Sequence, residues 1–346
     1  MANSNLHQAK RQKKDEFYTQ LSDIEKELKH YGEHFKGKVV YCNCDDPSVS
    51  KFFHYFTYNF EKLGLRKLIT TCYRNQQVDM FSQNDAEAAI CLEYAGDKNG
   101  NRVPDLDEIG VRYLEGDGDF RSEECIELLK QADVVVTNPP FSLFREYVAQ
   151  LVEHGKEFLI IGNMNAITYK EVFKLIKDGK LWLGHTHPKV FLQPDGSEKK
   201  FGNICWFTNL PTERRAEDLI LYKTYYGHEA EYPYYDNYDA IEVSKVKNIP
   251  IDYEGVMGVP ITFLDKYNPE QAEILGIANS ARWIGHECLT IIQGRKIYNR
   301  ILIKNRFEIV GNAGSYAPDG YSLASELFID GDKKFKRILI RKKAEQ

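Results

Sequence analysis

Short runs of consecutive apolar residues alternate, through the first two-thirds of the chain, with longer stretches in which apolar positions return at helical spacing. The runs read as buried strands at Lys38–Cys42, Lys67–Cys72, Val111–Leu114, Asp133–Thr137, Phe158–Ile161, Leu181–Leu183 and Ile204–Thr208. Between them the spacing predicts helices from Ser48 to Leu63 with Gly64 as a stop, from Ser122 to Lys130, from Ser142 to His154, and on to Lys177. Ser22-Asp23-Ile24-Glu25 and Thr168-Tyr169-Lys170-Glu171 read as capping boxes, and Ser142 as an N-cap. Residues 75–110 break the rhythm with a polar stretch around Gly96-Asp97-Lys98-Asn99-Gly100, which reads as a hairpin inserted between core elements.

Strands alternating with helices imply an α/β domain with a largely parallel sheet covered on both faces. Ligands of such sheets sit beyond the carboxyl ends of the strands. Past Leu210 the sequence becomes Tyr-rich and Pro-punctuated, which places a boundary near residue 215 and divides the chain into 1–215 and 216–346. Arg300-Ile301-Leu302-Ile303 and Arg337-Ile338-Leu339-Ile340 are similar basic strand patterns, suited to one small sheet.

Composition adjusts this picture in three ways. A chain of 346 residues, 42% hydrophobic, suits a catalytic domain plus a smaller partner. It holds neither an apolar signal region near its start nor a run of about 20 apolar residues, so it is expected to be soluble and cytoplasmic. The cysteines (42, 44, 72, 91, 125, 205 and 288) contain no CxxC pair, and neither Cys42-x-Cys44 nor His185-Thr186-His187 has the partners of a metal site, so no metal is expected. The net charge of −5 leaves any nucleic-acid contact to local patches: residues 291–346 hold 12 Lys/Arg against 6 Asp/Glu, and Lys10, Arg11, Lys13 and Lys14 form a shorter cluster.

The strand Asp133–Thr137 runs directly into Asn138-Pro139-Pro140-Phe141. Two prolines remove backbone donors and stiffen the turn, so the Asn138 side chain and the Pro139 carbonyl can be held as fixed acceptors while Phe141 stacks on a planar substrate. Acceptors suit one chemistry in particular. An aryl amine is a poor nucleophile because its lone pair is delocalised, and two acceptors aimed at its hydrogens direct that lone pair at an electrophilic methyl group and disperse the developing charge. The competing reading is a rigid β-to-α turn with a packed Phe.

Three other strings carry candidate site residues. Asp15-Glu16-Phe17-Tyr18-Thr19 pairs acids with aromatics, suited either to the methionine end of a cofactor or to a hydrophobic staple. Asn43-Cys44-Asp45-Asp46-Pro47-Ser48 is a polar turn feeding a helix N-terminus, which can meet a carboxylate or ribose. In Gly116-Asp117-Gly118-Asp119-Phe120 an acid can accept from an adenine amine while Phe120 covers a ring face, or the string is a plain Asp-Gly turn.

Taken together, Asp15–Thr19, Val39–Pro47, Gly116–Ser122, Val135–Phe144, Ile167–Glu171, Tyr235–Ala240 and Gly255–Leu264 resemble the EcoRI-type adenine-specific DNA methyltransferases over most of residues 10–270. The resemblance implies a Rossmann-like methyltransferase fold with a seven-stranded, mostly parallel sheet, a catalytic domain over 1–215 and a DNA target-recognition region over 216–346. It implies S-adenosylmethionine as methyl donor, double-stranded DNA as partner, a flipped adenine methylated on its 6-amino group, a restriction-modification or phage-protection setting, and a monomer. Carried onto this chain, Asn138, Pro139, Pro140 and Phe141 form the catalytic loop. Asp15, Phe17, Tyr18, Thr19, Asn43, Asp45, Asp46, Asp117, Asp119 and Phe120 line the cofactor pocket. Arg295, Lys296, Arg300, Lys304 and Arg306 are the expected phosphate contacts, with Tyr225, Tyr226, Tyr232, Tyr234, Tyr235 and Tyr238 able to touch DNA or to pack together. Asn-Pro-Pro-aromatic loops also act on RNA bases and protein glutamines, and a catalytically silent DNA-binding module is a further alternative.

Overall fold

The computed structural model describes residues 18–44, 50–72, 89–101, 104–105, 107–193, 197–235, 238–278, 327–330, 332–334 and 336–343. In chain order the elements are β1 (Tyr18–Thr19), α1 (Leu21–Leu28), α2 (Gly32–Phe35), β2 (Val39–Cys42), α3 (Lys51–Tyr58), α4 (Phe60–Leu63), β3 (Lys67–Thr71), β4 (Ile90–Tyr94), β5 (Ile109–Tyr113), α5 (Glu123–Gln131), β6 (Val134–Thr137) and α6 (Phe144–Glu153). There follow β7 (Glu157–Asn163), α7 (Lys170–Lys177), β8 (Trp182–Leu183), β9 (Val190–Leu192), β10 (Glu198–Lys200) and β11 (Ile204–Thr208). The last strands are β12 (Ile241–Glu242), β13 (Met257–Pro260), β14 (Ala272–Ala278), β15 (Leu327–Ile329), β16 (Asp332–Lys334) and β17 (Arg337–Lys342). They fall into two compact units, Met1–Ala166 with Trp182–Leu210, and Ile167–Leu181 with Pro211–Gln346.

In the first unit, β2 and β6 are buried on both faces over all their residues, and β7 over Phe158–Gly162, as expected for central strands of a sheet covered on both sides. They sit in an eight-stranded sheet of order β5-β4-β3-β2-β6-β7-β11-β8. The inner strands β3, β2, β6 and β7 are parallel, so their carboxyl ends share one edge. The outer pairs, β3 with β4, β4 with β5, β7 with β11 and β11 with β8, are antiparallel. The expected mostly parallel, seven-stranded sheet is therefore a mixed sheet of eight. The stretch read as an insertion is the hairpin β4–β5, which extends the sheet by pairing with β3. Among the described residues no helix lies between β8 and β11, so that connection shows no crossover of the kind a parallel pair needs. The core beneath is largely aromatic, with Tyr31, Phe35, Phe52, Phe56 and Trp206 fully buried.

Helix starts differ from the expected caps. Ser50 caps α3 by accepting from the Phe52 N–H, and Ser122 caps α5 by accepting from the Cys125 N–H. Ser22 lies inside α1, whose cap is Gln20, and Thr168 ends a 3₁₀ turn before the cap residue Tyr169, so neither capping box forms. Gly64 stops α4 at φ 62°, as the sequence indicates. Among the described residues no helix is long and apolar enough to cross a membrane.

The second unit holds a four-stranded sheet of order β12-β13-β17-β14 and the β15–β16 hairpin. The basic pattern at Arg337 is β17, a central strand whose Ile338, Leu339 and Ile340 are buried; the Arg300–Ile303 pattern lies outside the described residues. Arg337 forks onto the Glu242 carboxylate at 2.6–3.0 Å, and Tyr235 Oη donates to the same carboxylate. Burial and the Glu242 charge push the Tyr235 hydroxyl's pKa well up, which keeps it a donor. Tyr225 and Tyr232 are buried with it, and Tyr225 packs on Tyr253 at 4.6 Å, so packing accounts for half of the tyrosine cluster; Tyr226 and Tyr234 are exposed. Arg337→Met would leave a buried carboxylate without its cation and should lower stability by about 3–5 kcal/mol, read from the urea midpoint of unfolding.

Candidate active site

The site grows from the parallel neighbours β2 and β6, whose ends are cross-tied by hydrogen bonds. Asn43, the residue after β2, is 3% exposed. Its main-chain carbonyl accepts from Thr137 Oγ1 at the end of β6, and its side-chain Oδ1 accepts from Tyr147 Oη on α6. Complete burial pushes the Tyr147 hydroxyl's pKa far above its usual value, so it stays protonated. The helix that carries Tyr147 is seated by Phe144, whose ring lies over β7 where a Cβ at Gly162 would stand 2.4 Å away. Only a glycine leaves room for that ring.

Asn138–Phe141 spans the gap between β6 and α6. Asn138 and Pro139 are buried, while Pro140 and Phe141 are half-buried. The Pro140 carbonyl is taken by the Leu143 N–H at 2.9 Å, whereas no donor among the described residues is paired with the Pro139 carbonyl. Ser142 falls within this turn and α6 begins at Phe144 with Leu143 as cap, so the expected Ser142 cap does not form. The turn exists because two prolines deny the chain the N–H groups a helix would need there.

Asp117–Phe120 closes a second side. Gly118 has φ 74° and lies against the end of β3, where a Cβ would come within 2.1 Å of the Cys72 carbonyl oxygen. Asp117 Oδ1 accepts from the Asp119 N–H at 3.0 Å, and the Phe120 ring meets Tyr147 edge-on at 5.0 Å. The Asp119 carboxylate is gripped by Arg121 at 2.6 and 2.8 Å, and Arg121 also reaches Glu146 on α6. These bonds raise the Arg121 pKa further, so the guanidinium is permanently charged. Asp119 thus has a cation on it that the sequence reading did not supply.

A third side is a small sheet of order β1-β9-β10, in which Thr19 pairs with Phe191 and Tyr18 with Leu192. Phe201, just past β10, meets Phe141 at 6.3 Å and Phe191 at 5.6 Å, both edge-on. Lys199 Nζ stands 5.4 Å from the Phe201 ring. Sequence reasoning missed Thr137, Tyr147, Phe191 and Phe201; the one available signal was the pair of aromatics flanking a short Gly-containing turn.

Of the remaining candidates, Asp15, Phe17, Asp45, Asp46, Arg295, Lys296, Arg300, Lys304 and Arg306 lie outside the described residues. The described candidates Asn43, Asp119, Phe120 and Asn138–Phe141 are joined through Tyr147 and its helix, Asp119 by way of Arg121 and Glu146, while Asp117 bonds to the Asp119 N–H. His185 and Thr186 are not bare surface: their N–H groups donate to the buried Glu27 carboxylate at 2.7 Å, and the His185 ring stacks on His30 at 4.0 Å. No group of three or more His, Cys, Asp or Glu suited to a metal occurs among the described residues.

The Asn-Pro-Pro-Phe loop thus lies at the carboxyl edge of an α/β sheet, with the buried Asn43 from the end of the neighbouring strand beside it. The chain belongs to the family described as adenine-specific methyltransferase EcoRI, which it matches over residues 5–343. It is 51% identical to the Type II methyltransferase M.EcoRI of Escherichia coli, an alignment covering 88% of this chain and 97% of that protein. It is 38% identical to the Type II methyltransferase M.MpnI of Mycoplasma pneumoniae, covering 88% and 99%, and 36% identical to M.MgeORF184P of Mycoplasma genitalium, covering 87% and 98%. No solved structure matches the chain.

Gly118→Ala would drive a methyl group into the Cys72 carbonyl and strain a left-handed residue. It should lower the melting temperature, measured by scanning calorimetry.

Proposed function

We propose that this chain transfers the methyl group of S-adenosylmethionine to the 6-amino group of adenine in double-stranded DNA, in a restriction-modification or DNA-protection setting. The observation that carries the reading is Asn138–Phe141, held between β6 and α6 at the edge where β2 also ends. Family membership requires a methyl donor, and the groups present suit this one. Asn43 and Asp117 are polar, Phe120 is aromatic, and the buried Thr19 Oγ1 has no hydrogen-bond partner among the described residues. When bound, S-adenosylmethionine supplies a methyl group made electrophilic by a positively charged sulfur.

The residues of the chain supply the rest. Asn138 Oδ1 and the Pro139 carbonyl accept the two amine hydrogens, turning the nitrogen lone pair out of conjugation, and Phe141 covers the base. Transfer would exchange the donor's sulfur–carbon bond for a nitrogen–carbon bond while Asn138 and Pro139 hold the nitrogen, and the surplus amine proton would leave to water. Reaching the amine requires the adenine to leave the helix at a cost of a few kcal/mol, which stacking on Phe141 and backbone contacts offset. In this reading residues 1–215 are catalytic and 216–346 recognise the target. Arg295, Lys296, Arg300, Lys304 and Arg306 bind phosphates, Asp15, Phe17, Tyr18, Asp45 and Asp46 complete the cofactor pocket, and the protein works as a cytoplasmic monomer.

Labelled methyl transfer to duplex DNA tests the reading, with RNA and protein extract as competitors. Asn138→Ala should lower the rate by about 10²–10³-fold while S-adenosylhomocysteine binding persists. Equal incorporation by the variant, or preference for RNA or protein, overturns it.

A further inference from the structure

The Asn43 side chain is an amide, whose two ends have nearly the same shape and opposite polarity. Which end a ligand meets is decided by whatever holds the other. Tyr147 Oη is bonded to Asn43 Oδ1 and, among the described residues, to no other group. Were the phenol instead to accept from the amide nitrogen, its own proton would be left buried without an acceptor, which is costly. The bond therefore runs from the phenol to Oδ1. Thr137 occupies the main-chain carbonyl in the same way. Each oxygen of Asn43 is engaged by one of the two elements that flank the loop, and the end of the side chain with no partner among the described residues is its N–H₂ group.

We propose that Tyr147 is a positioning residue that fixes the polarity of Asn43, so that Asn43 presents hydrogen-bond donors to an acceptor group of S-adenosylmethionine. This rests on the preceding reading that Asn43 lines the cofactor pocket. Its consequence is coupling: the residue that reads the cofactor is held by Thr137 before the catalytic loop and by Tyr147 after it.

Two substitutions test this on the full-length chain, with S-adenosylhomocysteine affinity measured by titration calorimetry and KM for cofactor and for DNA measured separately. Asn43→Asp keeps the shape and keeps an oxygen for Tyr147, and exchanges only the donor end for a charged acceptor. It should weaken binding by about a hundredfold, raising KM for the cofactor and leaving KM for DNA unchanged. Tyr147→Phe frees the amide to rotate and should weaken binding by roughly tenfold with the same KM pattern. Retention of wild-type affinity by Asn43→Asp overturns the proposal, because it would mean that the ligand meets an oxygen. Equal rises in both KM values would also overturn it, since they would mark a merely structural role. Should Tyr147→Phe fail to fold, the near-isosteric Asn43→Asp still decides. Failure of the wild-type chain to bind the ligand at all would instead sink the functional reading itself.

Discussion

Everything at the candidate site depends on how a segment with two consecutive prolines is held still. Pro139 and Pro140 cannot donate main-chain hydrogen bonds, so the loop cannot fasten itself as a helix or strand would. It is fastened by its flanks. Thr137 on one side and Tyr147 on the other both bond to Asn43, and the ends of two neighbouring parallel strands become one rigid edge. The Phe144 ring over Gly162 and the Phe120 ring against Tyr147 then set where the helix after the loop can lie. Stiffness obtained this way suits the proposed chemistry, in which acceptors aimed at an amine act only if they need not reorganise as charge develops.

The second unit solves a different problem with similar means. In its small sheet a buried Arg337–Glu242–Tyr235 cluster ties β12 and β17 to the segment carrying the tyrosines. Such a cluster is satisfied only in one register of its strands, so it specifies as well as stabilises. Tyr225, Tyr232 and Tyr235 are absorbed into packing, which leaves the exposed Tyr226 and Tyr234 as the tyrosines of that segment whose rings face solvent most.

Much of the first unit was legible in the chain. Strands such as Ile204–Thr208 announce themselves because burial on both faces demands unbroken apolar runs. The Asn138–Phe141 turn was legible for a related reason: proline chemistry and the position between a buried strand and a helix are local properties. Strand direction was not, because an apolar run looks the same whether its neighbour is parallel or antiparallel, and the hairpin β4–β5 was read as an interruption when it extends the sheet. The capping boxes failed at Ser22 and Thr168 because the helices start where tertiary packing lets them, one residue before Ser22 and two after Thr168.

Sequence alone, then, determined most strands and helices of the first unit, the Asn138–Phe141 turn after a buried strand and the resemblance to adenine methyltransferases, because each is written in neighbouring residues. Tertiary structure decided which groups are actually offered to a ligand. Asp119 looked like an available acid until Arg121 closed on it, and Asn43 looked like a polar turn residue until two distant side chains occupied its oxygens. The physical reason is that a polar group's availability depends on its partners, and Asn43's partners stand 94 and 104 positions away, brought close only by the parallel pairing of β2 with β6.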